Sequence, residues 1–238
     1  MLTVRNLCKA YGNRRVVDHV SFTVDRGQII GLLGKNGAGK TTTFRMTVGM
    51  IRADQGQVFL NNEEVSSLPM YQRARLGMGY LPQESSVFRG LTVRQNLLAI
   101  LETCPISPPE RSERLDELVE EFGLGRVIDS KAHFLSGGEK RRLEVARALV
   151  TDPSLILLDE PFSGVDPIAV NDLQEIIRYL REKGIGILLT DHNVRETLNV
   201  CDESFIIYDG RIIAQGDKDD ILKNSDARRY YLGEQFAM

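Results

Sequence analysis

The stretch Gln28-Ile29-Ile30-Gly31-Leu32-Leu33-Gly34-Lys35-Asn36-Gly37-Ala38-Gly39-Lys40-Thr41 decides the fold. From Gln28 to Leu33 it is almost continuously apolar, as expected of a strand covered on both faces in a parallel sheet. Gly34 to Thr41 then fits the phosphate-loop pattern G-x-x-x-x-G-K-[ST], and Phe44, Val48 and Ile51 continue as one face of a helix. Strand, glycine loop and helix together make an anion cradle. Gly34, Gly37 and Gly39 let the backbone curl, so that amides from Asn36 to Thr42 turn inward beside the positive end of the helix. Lys40 is placed to reach the β- and γ-phosphates of a nucleotide, and the Thr41 hydroxyl to ligate Mg²⁺. Gly34, Asn36, Gly37, Ala38, Gly39, Lys40, Thr41 and Thr42 are therefore the expected phosphate-binding residues.

Such a loop needs a carboxylate at the end of a neighbouring buried strand, and Leu155-Ile156-Leu157-Leu158-Asp159-Glu160 supplies one. Asp159 suits the Mg²⁺ shell. Glu160, one residue further on, suits polarisation of an attacking water. A second anion-binding pattern lies at Ser136-Gly137-Gly138-Glu139. The Ser and Glu alone spell a capping box, but the two glycines also bare amides at a helix start. Lys40 already serves one triphosphate, so a second half-site on another lobe points to a head-to-tail homodimer. In it Ser136, Gly137 and Gly138 of one chain close over the nucleotide of the other.

Around these motifs the first 30 residues read as β, with Val20, Phe22 and Val24 alternating with polar residues. From about Thr92 to Val150 a helical period dominates, with Leu115, Leu118, Val119 and Phe122 on one face. Pro105, Pro108 and Pro109 separate this helix from the one before. Strand–helix alternation then resumes, and Asp209-Gly210 is a two-residue hairpin turn between Phe205–Tyr208 and Arg211–Ala214. The expected architecture is an α/β phosphate-loop fold: a mixed sheet flanked by helices, an N-terminal antiparallel β part and an inserted helical lobe. Residues 1–87 and 151–238 form the core and 88–150 the lobe. The chain has 238 residues, 42% hydrophobic and 26% charged, ample for a core. A net charge of −3 speaks against nucleic acid as a partner. Three dispersed cysteines, Cys8, Cys104 and Cys201, and no apolar run long enough to cross a bilayer suggest a reduced, cytoplasmic protein.

Leu135-Ser136-Gly137-Gly138-Glu139, the phosphate loop and Leu157-Leu158-Asp159-Glu160 together resemble the signature set of ATP-binding cassette (ABC) ATPases, in order and spacing and over essentially the whole chain. That resemblance implies ATP and Mg²⁺ as ligands. It further implies that Tyr11 stacks on adenine and that Gln83 senses Mg²⁺ and water between core and lobe. Asp166 would cross the dimer interface, and His192 would act as the switch histidine at the γ-phosphate. Glu160, His192 and Gln83 are then the expected catalytic residues. Thr41, Gln83 and Asp159 are the expected metal residues. Within the family, Tyr80–Arg89, Thr190–Thr197 and Tyr230–Glu234 are most similar to the ATPases of bacterial lipopolysaccharide export. The resemblance implies a homodimer on the cytoplasmic face of the inner membrane, joined to the coupling helices of two integral membrane permease subunits. Phe88 and Arg89 form the expected anchor pair, and no direct contact with lipid is expected. His19 and His133 match no such role. Other readings are the ATPase of a different transporter, such as the branched-chain amino acid type, and a non-transport cassette protein. A kinase or GTPase has no use for the Ser136-Gly137-Gly138 half-site.

Overall fold

The structure, a computed structural model, describes residues 1–233 and Phe236, with only the backbone described at Pro167 and Ile168. The chain begins with β1 (Leu2–Tyr11), β2 (Arg14–Val24), β3 (Ile29–Leu33) and α1 (Lys40–Val48), then β4 (Gln55–Leu60), β5 (Glu63–Glu64), α2 (Met70–Arg75) and β6 (Met78–Leu81). Three helices follow: α3 (Val93–Leu101), α4 (Pro108–Glu121) and α5 (Gly137–Leu149). The chain returns through β7 (Leu155–Asp159), α6 (Pro167–Glu182), β8 (Gly186–Thr190) and α7 (Val194–Val200). It ends with β9 (Glu203–Tyr208), β10 (Arg211–Gly216), α8 (Lys218–Lys223) and a helical turn over Arg228–Leu232.

A six-stranded sheet runs in the order β10-β9-β3-β8-β7-β6, parallel except for β10. A second, antiparallel sheet runs β2-β1-β4-β5. Side chains alternate across a strand, and both faces of the large sheet are covered. Leu155 and Leu157 of β7, with Ile30 and Leu32 of β3, join a cluster with Phe44 of α1 and the inner face of the antiparallel sheet. Ile156 and Leu158, with Ile29, join the opposite cluster, which holds Leu97, Leu118, Leu143 and Leu173 from α3 to α6. Two-sided burial is why these strands read as unbroken apolar runs. Leu115, Leu118, Val119 and Phe122 all bury in that second cluster, where α4 packs on α3 and shares one core with the sheet. Pro108 and Pro109 occupy the first turn of α4, where their missing amides cost nothing, so they open the helix as well as separate it.

One expected helical face is shorter than its spacing suggests. Gly49, at φ 90°, ends α1 by returning its amide to Arg45 and Met46, so Ile51 lies beyond the helix. The carbonyls at this helix end meet a buried arginine. Arg73 donates to Met46 O (3.0 Å), Thr47 O (2.6 Å), Leu68 O (2.9 Å) and Ser66 O (3.1 Å). Its charge faces the negative end of the α1 dipole, while burial pushes its pKa down to about 10. The hairpin turn is as expected: Asp209 and Gly210 both have positive φ, and Tyr208 pairs with Arg211.

The sheet order sets out the site. The exits of β3, β8, β7 and β6 are neighbours along one edge. They release, respectively, the phosphate loop, His192, Glu160 and Gln83.

Candidate nucleotide site

Lys40 is buried at the base of the phosphate loop, where its ammonium donates to Gly34 O (2.5 Å) and Lys35 O (3.1 Å). Burial pulls its pKa down, and the nearby Glu160 and Asp191 pull it partly back. Two loop glycines are steric necessities. A Cβ on Gly34 (φ 153°) would run into the carbonyl of Ile207, and one on Gly39 (φ 109°) into the carbonyl of Val16. The loop thereby opens onto a cavity of about 380 Å³, lined by Asn36, Gly37, Gly39, Lys40, Thr41 and Thr42, with Arg14, Val16 and Glu160 opposite. Tyr11 stands next to this wall, paired across the strands with Arg14, its exposed ring 5.6 Å from Lys9 Nζ.

At the end of β7, Asp159 accepts from Thr190 Oγ1 (3.1 Å) and Tyr80 Oη (3.4 Å). Burial raises its pKa from the ordinary value, and the Thr190 hydroxyl partly offsets this. Glu160 is in the left-handed region at φ 47°, a strained choice for a residue with a side chain. Its amide donates to Thr190 O at 2.7 Å. This kink turns the side chain to meet Gln83 Nε2 at 3.1 Å, with His192 Nδ1 at 3.5 Å. Gln83 also donates to Ser163 Oγ (3.3 Å). Gln83 and His192, far apart in the chain, are thus gathered on one carboxylate that lines the phosphate-loop cavity.

Asp191 lies fully buried beside them, although the sequence offers it no role beyond that of a spacer between Thr190 and His192. It accepts the amides of Phe162 (2.7 Å), His192 (2.7 Å) and Asn193 (2.8 Å). Only its bond to Asn193, two residues on, has a local sequence signal, that of an aspartate opening an Asx turn. Tyr80, which reaches Asp159, carries no such signal.

These residues suit a Mg-nucleotide. A partly buried carboxylate that accepts from two hydroxyls, near a loop with an inward ammonium and a threonine hydroxyl, is a donor set for a hard cation beside phosphate. Gly34 and Gly39 are required by the carbonyls of Ile207 and Val16, so the loop's curled backbone is fixed by packing within the chain.

The Ser136 helix faces elsewhere. Ser136 closes its capping box with Glu139: the Glu139 amide donates to Ser136 Oγ (3.3 Å) and the Ser136 amide to Glu139 Oε2 (2.9 Å). Gly137 and Gly138 line a separate cavity of about 300 Å³, together with Gln83, Glu160 and Asp166. Asp166 starts α6, accepting the Ala169 amide at 3.1 Å. A Cβ at Gly137 would meet nothing, and one at Gly138 only ordinary contacts, so packing within the chain does not call for glycine at either place. Glu160 lines both cavities, whereas residues 136–138 are not among those lining the phosphate-loop cavity.

Phe88 is half exposed on a loop clamped by buried Asn96, which accepts its amide (2.8 Å) and donates to its carbonyl (3.1 Å). The guanidinium over the Phe88 ring belongs to Arg147 of α5, 4.7 Å from the centroid. Arg147 is drawn there because it also donates to Ser86 O. Arg89 is exposed, and its carbonyl receives the amide of His133 (3.2 Å), whose ring Nδ1 lies 2.9 Å away. At the C-terminus Tyr230 packs on Tyr208, with centroids 4.7 Å apart; Glu234 of the tail motif lies outside the described residues.

Among the described residues no helix is long and apolar enough to cross a membrane. The ABC transporter family's sequence profile matches residues 17–163. The chain is 53% identical, over 239 residues, to the lipopolysaccharide export system ATP-binding protein LptB of Haemophilus influenzae, covering 100% of this chain and 99% of the relative. It is 52% identical to LptB of Escherichia coli K12 over 238 residues, with the same coverage. A crystal structure of an ATP-binding cassette of an ABC transporter, in its ADP conformation, aligns with a TM-score of 0.87 at 30% identity, covering 98% of this chain and 99% of the other. With loop, strand ends and signature helix in this arrangement, and with likeness along its full length, the chain belongs to the ABC transporter family of ATP-binding cassettes.

Proposed function

We propose that the chain is the ATP-hydrolysing motor subunit of a transporter that extracts lipopolysaccharide from the bacterial inner membrane. The cargo is inferred from the full-length relatives, which carry that role in their names. The chemistry is carried by one observation: Glu160, kinked into the phosphate-loop cavity, is met by Gln83 on one side and His192 on the other.

Lys40 and the loop amides would grip the β- and γ-phosphates, and Tyr11 or its strand neighbour Arg14 would close on the base. Thr41, Asp159 and Gln83 would hold Mg²⁺, which when bound neutralises charge growing on the phosphates. Glu160 would orient and polarise the attacking water, and His192 would stabilise the γ-phosphate end. Positioning and charge supply most of the rate in such transfers. Ser136, Gly137, Gly138 and Asp166 would complete the site of a second copy, so two chains would share two nucleotides. The open space at Gly137 supports this, since nothing in the chain itself uses it.

Residues 88–150 would move as a lobe against the core of 1–87 and 151–238 when the shared nucleotide is cleaved. Phe88, braced by Arg147, would pass that motion to the coupling helices of two permease subunits at the cytoplasmic face of the membrane. The test is phosphate release from MgATP by the purified chain. Glu160→Gln is expected to lower turnover by at least about 100-fold while ATP still binds. Turnover near wild type in that variant would return Glu160 to a structural role. Copurification of membrane subunits, and lipopolysaccharide release in their presence, tests the cargo.

A further inference from the structure

The strain at Glu160 has to be held by something. Its own amide is bonded to Thr190 O, the last residue of β8. Two residues later the Phe162 amide donates to Asp191 Oδ2 at 2.7 Å. The other oxygen, Asp191 Oδ1, takes the amides of His192 (2.7 Å) and Asn193 (2.8 Å), with the His192 ring Nδ1 further off at 3.7 Å. One fully buried carboxylate therefore ties the exit of β7 to the exit of β8, on either side of the Glu160–His192 contact. These three hydrogen bonds all go to backbone, so Asp191 fixes main-chain position and not merely a side-chain rotamer. A buried carboxylate is costly and is tolerated when several amides satisfy it.

We propose that Asp191 is a positioning residue for hydrolysis, setting the relative placement of Glu160 and His192 by bracing the left-handed turn at Glu160. The proposal rests on the reading of the chain as an ATP hydrolase with Glu160 at its centre. Asp191 is not among the residues lining the phosphate-loop cavity, so it acts through the two loops it joins. Its loss is expected to slow the chemical step far more than nucleotide binding, because the loop amides and Lys40 stay in place.

Asp191→Asn keeps the shape but turns one acceptor oxygen into an NH₂ group, which cannot accept either loop's amides. Asp191→Ser keeps a short acceptor for the His192–Asn193 turn but falls short of Phe162, so it cuts only the link between loops. For each, the readouts are kcat and KM for MgATP, binding of a fluorescent ATP analogue, and the same substitution in a His192→Ala background. A kcat at least about tenfold lower with analogue affinity within about threefold of wild type, and less than a threefold further loss in the His192→Ala background, is the expected result. A kcat within twofold of wild type overturns the proposal. So does an equal fall in affinity and kcat, or a full multiplicative loss in the double variant, each of which marks a general packing defect. If Asp191→Asn does not fold, the same criteria are applied to Asp191→Ser. Absence of hydrolysis by the wild-type chain, in contrast, would strike at the function itself.

Discussion

The phosphate-loop face and the signature-helix face treat their polar groups in opposite ways. On the first, charges are interlocked within the chain: buried Lys40 on two carbonyls, partly buried Asp159 on two hydroxyls, buried Asp191 on three amides. On the second, Ser136 is satisfied locally by Glu139, and Gly137 borders empty space. Phe88, on the same lobe, is half exposed. The first face is built within one chain. On the function proposed, the second is completed by another chain. Preorganised dipoles favour charge developing beside them, so the proposed function assigns the chemistry to the core and the dependence on partners to the lobe.

That contrast can be broken variant by variant. Lys40→Ala should weaken ATP binding by about 10–100-fold, the weight of a charge-assisted contact. Titration of the monomer with a fluorescent analogue measures it, and an unchanged affinity would mean that the buried ammonium serves only the loop. Ser136→Ala removes a cap and should cost about 1 kcal/mol of stability in chemical denaturation. It should leave nucleotide binding to the monomer unchanged, while turnover falls if, as proposed, it needs the second copy. A drop in monomer binding would erase the distinction between the faces. Phe88→Ala sits at the small end. Its effect on hydrolysis by the isolated chain should stay within about twofold, as for other surface changes, whereas activity with membrane subunits present should be lost. Reduced intrinsic hydrolysis would place Phe88 with the core.

What can be read in the sequence is what is local. The phosphate loop, the β7 strand with its terminal carboxylates, the α4 apolar face and the Asp209-Gly210 turn each announce themselves within a short window. Arg73 does not, because its four carbonyl partners lie on segments joined only by folding. Arg147 is hidden for the same reason, since its place over the Phe88 ring depends on α5 packing against a loop distant in the chain. Ile51 continues a helical period that Gly49 has already stopped. Asp191 is visible as a letter in a motif, but its bond to Phe162 depends on β7 and β8 being neighbours, which periodicity does not reveal.

The central claim is that the nucleotide joins the two unlike faces across two copies of the chain. Light scattering of Glu160→Gln with and without MgATP tests it most directly, since hydrolysis cannot then reopen the pair. The account predicts a mass of 26.7 kDa without nucleotide, doubling when MgATP is added, and no doubling when Ser136→Ala is combined with Gly137→Trp to fill the open space. A particle that stays at the mass of one chain under saturating MgATP would contradict it.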